Sequence, residues 1–471
     1  MSISATHQSA ISDLVQNQRK FFQSGRSRDI DFRIRQLKTL KSAIIDNEAE
    51  ILEACRSDMN KPPMEAYTSE RGMVLNEIDH AARNLKSWAK PRKAKTPLLH
   101  TRFFGLAQHF LASSYIYSEP YGVVLVIGPW NYPFQLTLSP LVGAIAAGNC
   151  TILKPSEIAP SSSGVIAKIV RDIFDPGFVA ATEGDAGTGQ KLLSEKFDYI
   201  FFTGGTRVGT IVMEAAAKQL TPVTLELGGK NPCIVDHDVH VGHTAKRIVW
   251  GKFFNAGQTC MTTDYLLVDR AIKKELLASI EATIKEFYGD APSKSPDYGR
   301  IINAHHFTRL SRLLKEGEIV IGGETNPANL YIAPTVIDNV SPEHATMKEE
   351  IFGPILPVLE YEKLDDAISF VNERPKPVAL FFFSRDKTKQ EKVLRETSSG
   401  GGCINETFVH AINFSLPFGG VGASGIGKYH GKFSYDTFSN KKGVMKKSFL
   451  FDFALRYPPY GDKFRKSKRF L

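Results

Sequence analysis

The sequence predicts an α/β protein, in which a doubly wound parallel sheet is followed by a second α/β domain. Two observations predict this fold. The 471 residues are about three times the ~150 residues of one typical domain, so two or three domains are expected. From Tyr121 onward, β-branched apolar runs alternate with segments of helical periodicity. Such alternation is typical of βαβ units with right-handed crossovers.

The first ninety residues are predicted to be helical. Apolar side chains recur at the spacing of one helix face at positions 34, 37, 40 and 44, and again at 74, 78, 81 and 85. Asn47 followed by Glu50 resembles a capping box that begins a helix at Glu48. Pro91 ends the helical pattern, and the aromatic-rich stretch over residues 103–122 predicts an extended hairpin.

Strands and helices alternate through the rest of the chain. YGVVLVIG, CTILKP and DYIFFTGG are the predicted strands of a first sheet, and each is followed by a helical segment. The rhythm restarts after Gly228, where NPCIVD, DYLLVD and KPVALFFFS are predicted strands. These strands predict a second α/β domain over residues 228–431.

Composition and charge exclude several classes of function. The formal net charge is +9, but ten basic and two acidic residues lie after residue 440, so the rest of the chain is nearly neutral. A nearly neutral body argues against nucleic-acid binding. No apolar run approaches the ~20 residues that cross a bilayer, and the N-terminus lacks the apolar region of a signal peptide. The five cysteines are scattered without a CxxC pair, which indicates neither disulfides nor a zinc site and suits the reducing cytoplasm.

Cys260 is the one cysteine that the sequence places outside an apolar strand or helix. It lies in FFNAGQTCMTTDY, a polar stretch between a predicted helix and a predicted strand, and a loop there can present a thiol to a cleft. A cysteine alone does not establish a nucleophile, because free thiols are often inert. The other four, Cys55, Cys150, Cys233 and Cys403, are predicted to be small buried hydrophobes.

Two further polar residues stand at the ends of predicted strands. Glu226 lies between leucines in VTLELGGKNP, where desolvation would raise its pKa towards that of a general base. The alternative is a salt-bridged glutamate at a strand end. Asn131 follows the first strand in GPWNYPF, at the sheet edge where ligands bind, and can donate its amide N–H to an oxyanion. The alternative is an ordinary turn asparagine between two prolines.

Glycine turns and charged pairs complete the candidate residues. Gly204, Gly205 and Gly209 join a strand to a helix in FTGGTRVG, and a helix N-terminus reached through glycines suits a pyrophosphate, although the spacing is not GxGxxG. In LKPSE, the Lys154 and Glu157 side chains can hydrogen-bond ribose hydroxyls or form a solvated surface pair.

In EEIFGP, the acidic Glu350 and the aromatic Phe352 stand next to a Gly-Pro turn, and this string by itself indicates little. The order and spacing of the strings together resemble the aldehyde dehydrogenase superfamily. The matching strings are GPWNYPF, LKPSE, FTGGTRVG, LELGGKNP, FFNAGQTC, EEIFGP and LPFGGVGASGIGKYHG. Two features resemble its class-3 group, which includes the fatty aldehyde dehydrogenases: a start close to the first core helices, and the strings SLPFGGVGASGIGKYHGK and RYPPY.

This resemblance implies a mechanism without a metal. Cys260 would attack the aldehyde carbonyl as a thiolate, and the Asn131 amide with the Cys260 backbone N–H would stabilise the oxyanion. Loss of hydride would leave a thioester, which water activated by Glu226 would hydrolyse to a carboxylic acid. Apolar medium- or long-chain and aromatic aldehydes are the expected substrates. A thioesterase or esterase without redox chemistry is the rival, but it gives no reason for the cofactor residues.

The resemblance also implies a nicotinamide cofactor. Lys154 and Glu157 would hold the adenosine ribose, and the three glycines would lie beside the pyrophosphate. Glu350 would bind the nicotinamide ribose, and Phe352 would pack near the nicotinamide. Negative Glu157 disfavours a 2′-phosphate, so NAD is expected, with NADP possible because Lys154 compensates in part. Gly205 and Thr263 depart from the residues usual in relatives, and Thr263 lies where a change would affect substrate choice.

Domain functions, assembly and location follow from the same resemblance. Residues 1–99 and 120–227 correspond to the dinucleotide-binding domain and residues 228–431 to the catalytic domain. Residues 100–119 and 432–471 correspond to a small bridging oligomerisation element, which implies a homodimer. A cytoplasmic enzyme is expected. Its basic, aromatic C-terminal tail either docks on an anionic membrane surface or packs over the body.

Overall fold

The computed structural model describes residues 3–95, 112–450 and 457–467, and of residues 3–8, 466 and 467 it describes the backbone alone. Part of the predicted bridging element, residues 100–111, lies outside the described residues, as do tail residues 451–456 and 468–471. The described part is an α/β fold with two large, mainly parallel sheets, which confirms the predicted fold class.

The N-terminal region is helical, as predicted. Its helices are Ile3–Gln23 (α1), Ile30–Asp46 (α2), Glu48–Met59 (α3), Pro63–Ala66 (α4), a π-helix over Tyr67–Gly72, and Met73–Trp88 (α5). The capping box predicted at Asn47 is wrong, although α3 does begin at Glu48. The Asn47 side chain makes no cap bond to α3, because its Nδ2 donates instead to the Ala43 carbonyl at the end of α2, at 2.8 Å.

The first sheet has six strands in the order β17-β7-β6-β3-β4-β5. The strands are Val123–Ile127 (β3), Cys150–Lys154 (β4), Val179–Ala181 (β5), Tyr199–Thr203 (β6), Val223–Glu226 (β7) and Gly425–Ile426 (β17). All pair in parallel except β17, which is antiparallel to β7. The β17 strand belongs to the predicted catalytic segment 228–431 but completes the first sheet; the domain boundaries themselves stay a prediction.

Four helices cross over the first sheet. They are Pro133–Ala147 (α6), Pro160–Ile173 (α7), Ala186–Ser194 (α8) and Thr206–Ala217 (α9). Every residue of α6 is buried, because the helix packs between the strands and the N-terminal helices α2 and α5. It ends at Gly148, whose φ of 97° is a left-handed conformation suited to glycine.

The second sheet has seven strands in the order β10-β13-β14-β9-β8-β15-β16, all parallel except the edge strand β10. They are Pro232–Val235 (β8), Tyr265–Asp269 (β9), Glu318–Ile321 (β10), Thr335–Asp338 (β13), Ile355–Tyr361 (β14), Ala379–Phe383 (β15) and Gly401–Ile404 (β16). A small hairpin joins Thr325–Asn326 (β11) to Tyr331–Ile332 (β12). The helices are Val241–Phe253 (α10), Lys273–Tyr288 (α11), Ala304–Leu313 (α12), Ala345–Lys348 (α13), Leu364–Asn372 (α14) and Lys387–Glu396 (α15).

A third, antiparallel sheet contains Arg92–Ala94 (β1), Ala112–Pro120 (β2) and Ser439–Lys447 (β18). β18 pairs with β2 along its whole length. Within the predicted late segment, Lys432–Thr437 forms a helix (α16) that packs on α6. The described tail ends in a short helix, Lys463–Ser467 (α17). None of the helices in the described ranges is long and apolar enough to cross a membrane.

The packing of α6 generates a test of the fold. A Cβ at Gly143 would lie 2.7 Å from the Ser434 Cβ and 3.1 Å from the Phe438 ring, so Gly143→Ala should lower the free energy of unfolding by about 1–3 kcal/mol. Gly164 in α7 has no atom of the described residues within 4 Å of its would-be Cβ, so Gly164→Ala should raise the free energy of unfolding by about 0.5 kcal/mol. Urea unfolding of both variants checks this, and equal shifts would contradict the packing.

Candidate active site

The candidate site lies where the carboxyl edge of the first sheet meets the amino edge of the second. Asn131 follows β3, and Glu226 is the last residue of β7. Cys260 and Glu350 precede β9 and β14 of the second sheet. Ligand sites at the carboxyl ends of parallel strands are a general property of open α/β sheets. Here the second sheet closes that edge.

Cys260 lies on a loop that is tied to both sheets. Its carbonyl accepts from Asn231 Nδ2, at 2.8 Å, directly before β8. The preceding turn, Phe254–Gly257, holds Asn255 and Ala256 in the left-handed region with φ of 53° and 51°. Such conformations cost free energy for residues with a side chain and persist only where the surroundings fix them. The loop is therefore held in one geometry around the thiol.

The Cys260 thiol is half-buried, and its surroundings disfavour the charged thiolate. Burial raises its pKa to about 12, and the nearby Glu350 and Glu226 carboxylates raise it further, whereas the backbone N–H groups of Cys260 and Met261 lower it. Cys55, Cys150 and Cys233 are fully buried, as predicted. Cys403 is not: it is half-buried, with its Sγ 3.5 Å from His410 Nδ1, because β16 is the exposed edge of its sheet.

Glu226 is a buried carboxylate close enough to Cys260 for their charges to interact. It is 5% exposed, and burial raises its pKa well above the usual range, against the opposing charge of Lys428 and the N–H of Gly420. Within the described residues its Oε1 has no hydrogen-bond partner and no cation forms an ion pair with it. The direction of the shift is the one that the leucine-flanked position predicts. A free carboxylate oxygen is available to a water molecule.

Asn131 is linked to the Cys260 loop rather than to its own turn. Its Nδ2 donates to the Gln258 carbonyl at 3.1 Å, and its own carbonyl accepts from Asn255 Nδ2 at 3.0 Å. Next to it, the Tyr132 hydroxyl hydrogen-bonds Thr259 Oγ1 at 2.7 Å. These bonds join segments that lie far apart in sequence, so a local turn role does not account for Asn131.

An apolar cavity of about 600 Å³ opens beside Cys260. Cys260 and Met261 lie on its wall, together with the π-helix, the first turn of α6 and the segment 408–412. Seven Phe, Tyr and Trp side chains are among the lining residues: Tyr67, Tyr132, Trp250, Phe254, Phe408, Phe418 and Tyr429. Asn131 and Glu226 lie outside this lining. A cavity of this size and character suits an apolar ligand.

The candidate cofactor residues lie along the carboxyl edge of the first sheet. Lys154 ends β4, is buried and forms an ion pair with the more exposed Glu157. Gly204 donates its N–H to the Glu226 carbonyl at 3.0 Å, so the glycine turn lies directly beside the candidate base. Lys154 and Glu157 contact each other in the structure, and the described contacts do not join them to the residues around Cys260.

The three glycines of this turn differ in how strictly they are required. A Cβ at Gly204 would lie 2.5 Å from the Phe202 ring, and one at Gly209 would lie 2.5 Å from Leu227 Cδ2. Gly205, directly before α9, has no atom from the described part of the chain within 4 Å of its would-be Cβ. Its departure from the residue usual in relatives is therefore sterically neutral. Among the described residues no side chain caps the N-terminus of α9, which leaves its N–H groups available to an anion.

Glu350 and Phe352 approach the site from the second sheet. Glu350 Oε2 would lie 1.9 Å from a Cβ on Gly228, so this glycine is what admits the carboxylate. Burial and Asp264 raise the pKa of Glu350 to about 8, while the Gly229 N–H, Lys230 and Arg309 lower it. Phe352 has a φ of 50° and packs edge-on against Trp130, with 5.3 Å between ring centroids, next to Asn131.

Sequence reasoning missed two groups of residues. Lys61 and Glu70, in the N-terminal helical region, form a buried ion pair beneath the Asn131 loop, and nothing in KPPMEAYTSE marks either as buried. The sequence also predicts no metal cluster, whereas Asp236, His237 and Asp269 place ligand atoms within 4.8 Å of one another. In that cluster Lys389 Nζ donates to Asp236 at 2.6 Å, so one of the two carboxylates already has a cationic partner.

Comparison with known proteins identifies the family. The model of the aldehyde dehydrogenase family matches residues 1–444. The chain belongs to this family. It is an oxidoreductase that acts on aldehydes, and the class-3 resemblance is confirmed by its relatives. It is 47% identical to the 4,4'-diaponeurosporen-aldehyde dehydrogenase of Staphylococcus aureus over 96% of this chain and 97% of that one. It is 46% identical to the mouse (Mus musculus) aldehyde dehydrogenase family 3 member A2 over 94% and 90%.

Solved aldehyde dehydrogenases share the fold. The substrate-bound state of Staphylococcus aureus AldH superposes with a TM-score of 0.94 at 46% identity, covering 98% of this chain and 99% of that one. An NAD-dependent aldehyde dehydrogenase from Sinorhizobium meliloti superposes with a TM-score of 0.84 at 28% identity, covering 94% and 88%. That neighbour is NAD-dependent, whereas another fold neighbour, the glyceraldehyde-3-phosphate dehydrogenase GapN of Methanocaldococcus jannaschii, was solved in complex with NADP.

The raised pKa of Cys260 generates a labelling prediction. Because the thiol pKa is about 12, the rate of Cys260 alkylation by iodoacetamide should rise about tenfold per pH unit between about pH 7 and 9, without a plateau. Peptide mass spectrometry resolves this site from fully buried Cys55, Cys150 and Cys233, which should stay unlabelled. A plateau below pH 9 would show that the thiol is not held in its neutral form.

Proposed function

We propose that this aldehyde dehydrogenase oxidises apolar medium- or long-chain and aromatic aldehydes to carboxylic acids, through a thioester on Cys260 and with NAD as the preferred cofactor. The observation that carries the proposal is the position of Cys260 on the wall of an aromatic-lined cavity. Glu226 and the Asn131 loop approach the same segment from the first sheet.

The first half of the proposed cycle forms and oxidises a thiohemiacetal. The Cys260 thiol loses its proton, and Sγ forms a bond to the aldehyde carbon while the carbonyl π electrons move to oxygen. Asn131 Nδ2 leaves the Gln258 carbonyl and, with the Cys260 backbone N–H, donates to that oxyanion. The C=O bond re-forms as a hydride departs from carbon, which leaves a thioester. A bound nicotinamide cofactor supplies the hydride acceptor.

The second half releases the acid. Glu226 takes a proton from water through its unpartnered Oε1, and the hydroxide adds to the thioester carbon. The C–S bond then breaks, the released thiolate takes up a proton again, and Glu226 gives the proton that it took from water to the solvent. In balance, one aldehyde, one water and one oxidised cofactor give one carboxylic acid, one reduced cofactor and one proton.

The chain's residues fit a dinucleotide. The uncapped N-terminus of α9, reached through the close-packed Gly204, suits the pyrophosphate. Buried Lys154 with Glu157 would hold the adenosine ribose, and Glu350 with Phe352 the nicotinamide end. Glu157 repels a 2′-phosphate, which favours NAD, while its ion pair with Lys154 weakens that repulsion and leaves NADP usable.

The substrate class is inferred from the cavity and the relatives. Seven Phe, Tyr and Trp side chains contribute to its wall, and a cavity of about 600 Å³ has room for a chain or ring attached to the aldehyde. A relative, from Staphylococcus aureus, is named for 4,4'-diaponeurosporen-aldehyde. A thioesterase without redox chemistry finds no support in the comparisons, and it leaves Lys154, Glu157, Glu350 and Phe352 without a role.

An aldehyde panel tests the reaction. Alkanals of increasing chain length and aromatic aldehydes are supplied with NAD and separately with NADP, and formation of the reduced cofactor is followed by absorbance. Long-chain and aromatic aldehydes with NAD should give the highest kcat/KM, and Cys260→Ala should abolish turnover. Retained turnover in that variant would show that Cys260 is not the nucleophile. Equal hydrolysis of a thioester with and without cofactor, and no aldehyde oxidation, would favour the rival function.

A second prediction concerns Glu226. Glu226→Gln removes the base but leaves Cys260 able to form the thioester. We expect a burst of reduced cofactor equal to one per active site, followed by a steady rate lowered about 100-fold or more. Stopped-flow absorbance measures both phases. An unchanged steady rate would contradict the role of Glu226 in hydrolysing the thioester.

We also propose that the enzyme is a cytoplasmic homodimer whose basic C-terminal tail contacts membrane surfaces. β18, the edge strand of the third sheet, offers a pairing surface to a second subunit.

In the tail that follows β18, the side chains of Phe449 and Leu450 are exposed. Exposed aromatic and basic residues together suit an anionic leaflet. Sedimentation with phosphatidylserine vesicles at low and high salt tests the membrane contact. We expect binding at low salt that weakens at high salt, and no binding at low salt would contradict the contact.

A further inference from the structure

A buried ion pair lies beneath the loop that carries Asn131. Lys61 follows α3, and Glu70 lies on the π-helix; both side chains are completely buried. Lys61 Nζ donates to Glu70 Oε1, and it also lies 4.1 Å from the centre of the Tyr132 ring. Neither residue belongs to the reacting groups of the proposed mechanism.

Glu70 serves as the missing N-terminal cap of α6. No side chain within the helix caps its first turn, which starts at Pro133. Glu70 Oε2 accepts from the backbone N–H groups of Phe134 and Gln135, each at 3.1 Å. A carboxylate at this position satisfies two free donors and interacts favourably with the helix dipole.

Lys61 holds the other side of the same loop. Its Nζ donates to the Asn131 carbonyl at 2.9 Å, where Asn255 Nδ2 also donates. The pair thus fixes the backbone at Asn131 and again three residues later, at Phe134. From the backbone fixed in this way, the Asn131 side chain donates its hydrogen bond to the Cys260 loop.

The cost of burying two charges argues for a role in positioning. Replacing a buried ion pair by apolar residues is often neutral or stabilising, so such a pair is weak evidence of stability alone. Here each of the hydrogen bonds outside the pair goes to the backbone of residues 131–135. The π-helix that carries Glu70 also lines the cavity through Tyr67, Ser69 and Arg71. Irregular helical turns of this kind are frequent at functional sites.

We propose that Lys61 and Glu70 are positioning residues that hold the Asn131 amide where it can donate to the oxyanion formed at Cys260. The proposal rests on the proposed mechanism, because it requires Asn131 to be the oxyanion donor. The pair acts on the height of the barrier to thiohemiacetal formation and not on the binding of the aldehyde in the cavity.

The test is a double-mutant cycle with steady-state kinetics. Lys61→Met should lower kcat about 100-fold, the loss typical of a reacting group misplaced by about 1 Å, with KM changed less than about threefold. In an Asn131→Ala background the same substitution should lower kcat by less than about threefold, because the donor that it positions is already absent. The rate of Cys260 alkylation by iodoacetamide should stay at the wild-type value in Lys61→Met, which a general collapse of the site would not allow.

A control variant and the opposing outcomes distinguish the positioning role of Lys61 and Glu70 from the oxyanion role of Asn131. Lys389→Met breaks the ion pair with Asp236, which follows the opposite end of β8 from the Cys260 loop, and should keep the wild-type kcat. If Lys61→Met does not fold, Glu70→Gln, which keeps the size of the side chain, should give the same non-additive pattern. Equal losses in the wild-type and Asn131→Ala backgrounds, or no loss in either, overturn the positioning role. An Asn131→Ala variant with unchanged kcat instead overturns the oxyanion assignment in the proposed function.

Discussion

The site depends on the exclusion of water where the two large sheets meet. Carboxyl ends of β3 and β7 face the segments that lead into β9 and β14, so Cys260, Glu226 and Glu350 share one poorly solvated space. Burial raises the pKa of all three, and the Glu350 and Glu226 carboxylates raise that of Cys260 further. The charged form of each group is therefore disfavoured there unless a hydrogen bond or an opposite charge stabilises it. A thiol kept neutral in this way is also protected from unwanted electrophiles and oxidants.

Sequence alone predicted the fold because its signals are local. The parallel strands of the first sheet are buried on both faces, and a continuous apolar run such as VVLVI predicts such a strand without any information on distant contacts. The Asn47 capping box failed because two helices abut there, and a side chain between them can serve either one. The candidate residues Cys260, Glu226 and Asn131 were found as ends of strands and turns, but their mutual arrangement depends on contacts between segments more than a hundred residues apart.

Other features could not be predicted from the sequence, because they too depend on contacts between segments that are distant along the chain. Lys61 and Glu70 have an unremarkable helical context, and only the tertiary structure shows that their hydrogen bonds end on the backbone of another segment. Gly205 and Gly204 are neighbours of identical type, yet only one has another side chain in the way of a Cβ. The residue type determines which interactions a side chain is able to make. The surrounding atoms in the folded structure determine which of those interactions it makes.

The pairing of β2 with β18 has a consequence for synthesis of the chain. Lys441 bonds to Ser118 across 323 residues, so one edge of β2 has no partner until almost the whole polypeptide has left the ribosome. At translation rates of roughly 5–20 residues per second, that interval lasts on the order of tens of seconds. An open strand edge is a template for mispairing with neighbouring nascent chains. On a polysome, a chaperone or a sister chain would have the first opportunity to cover it.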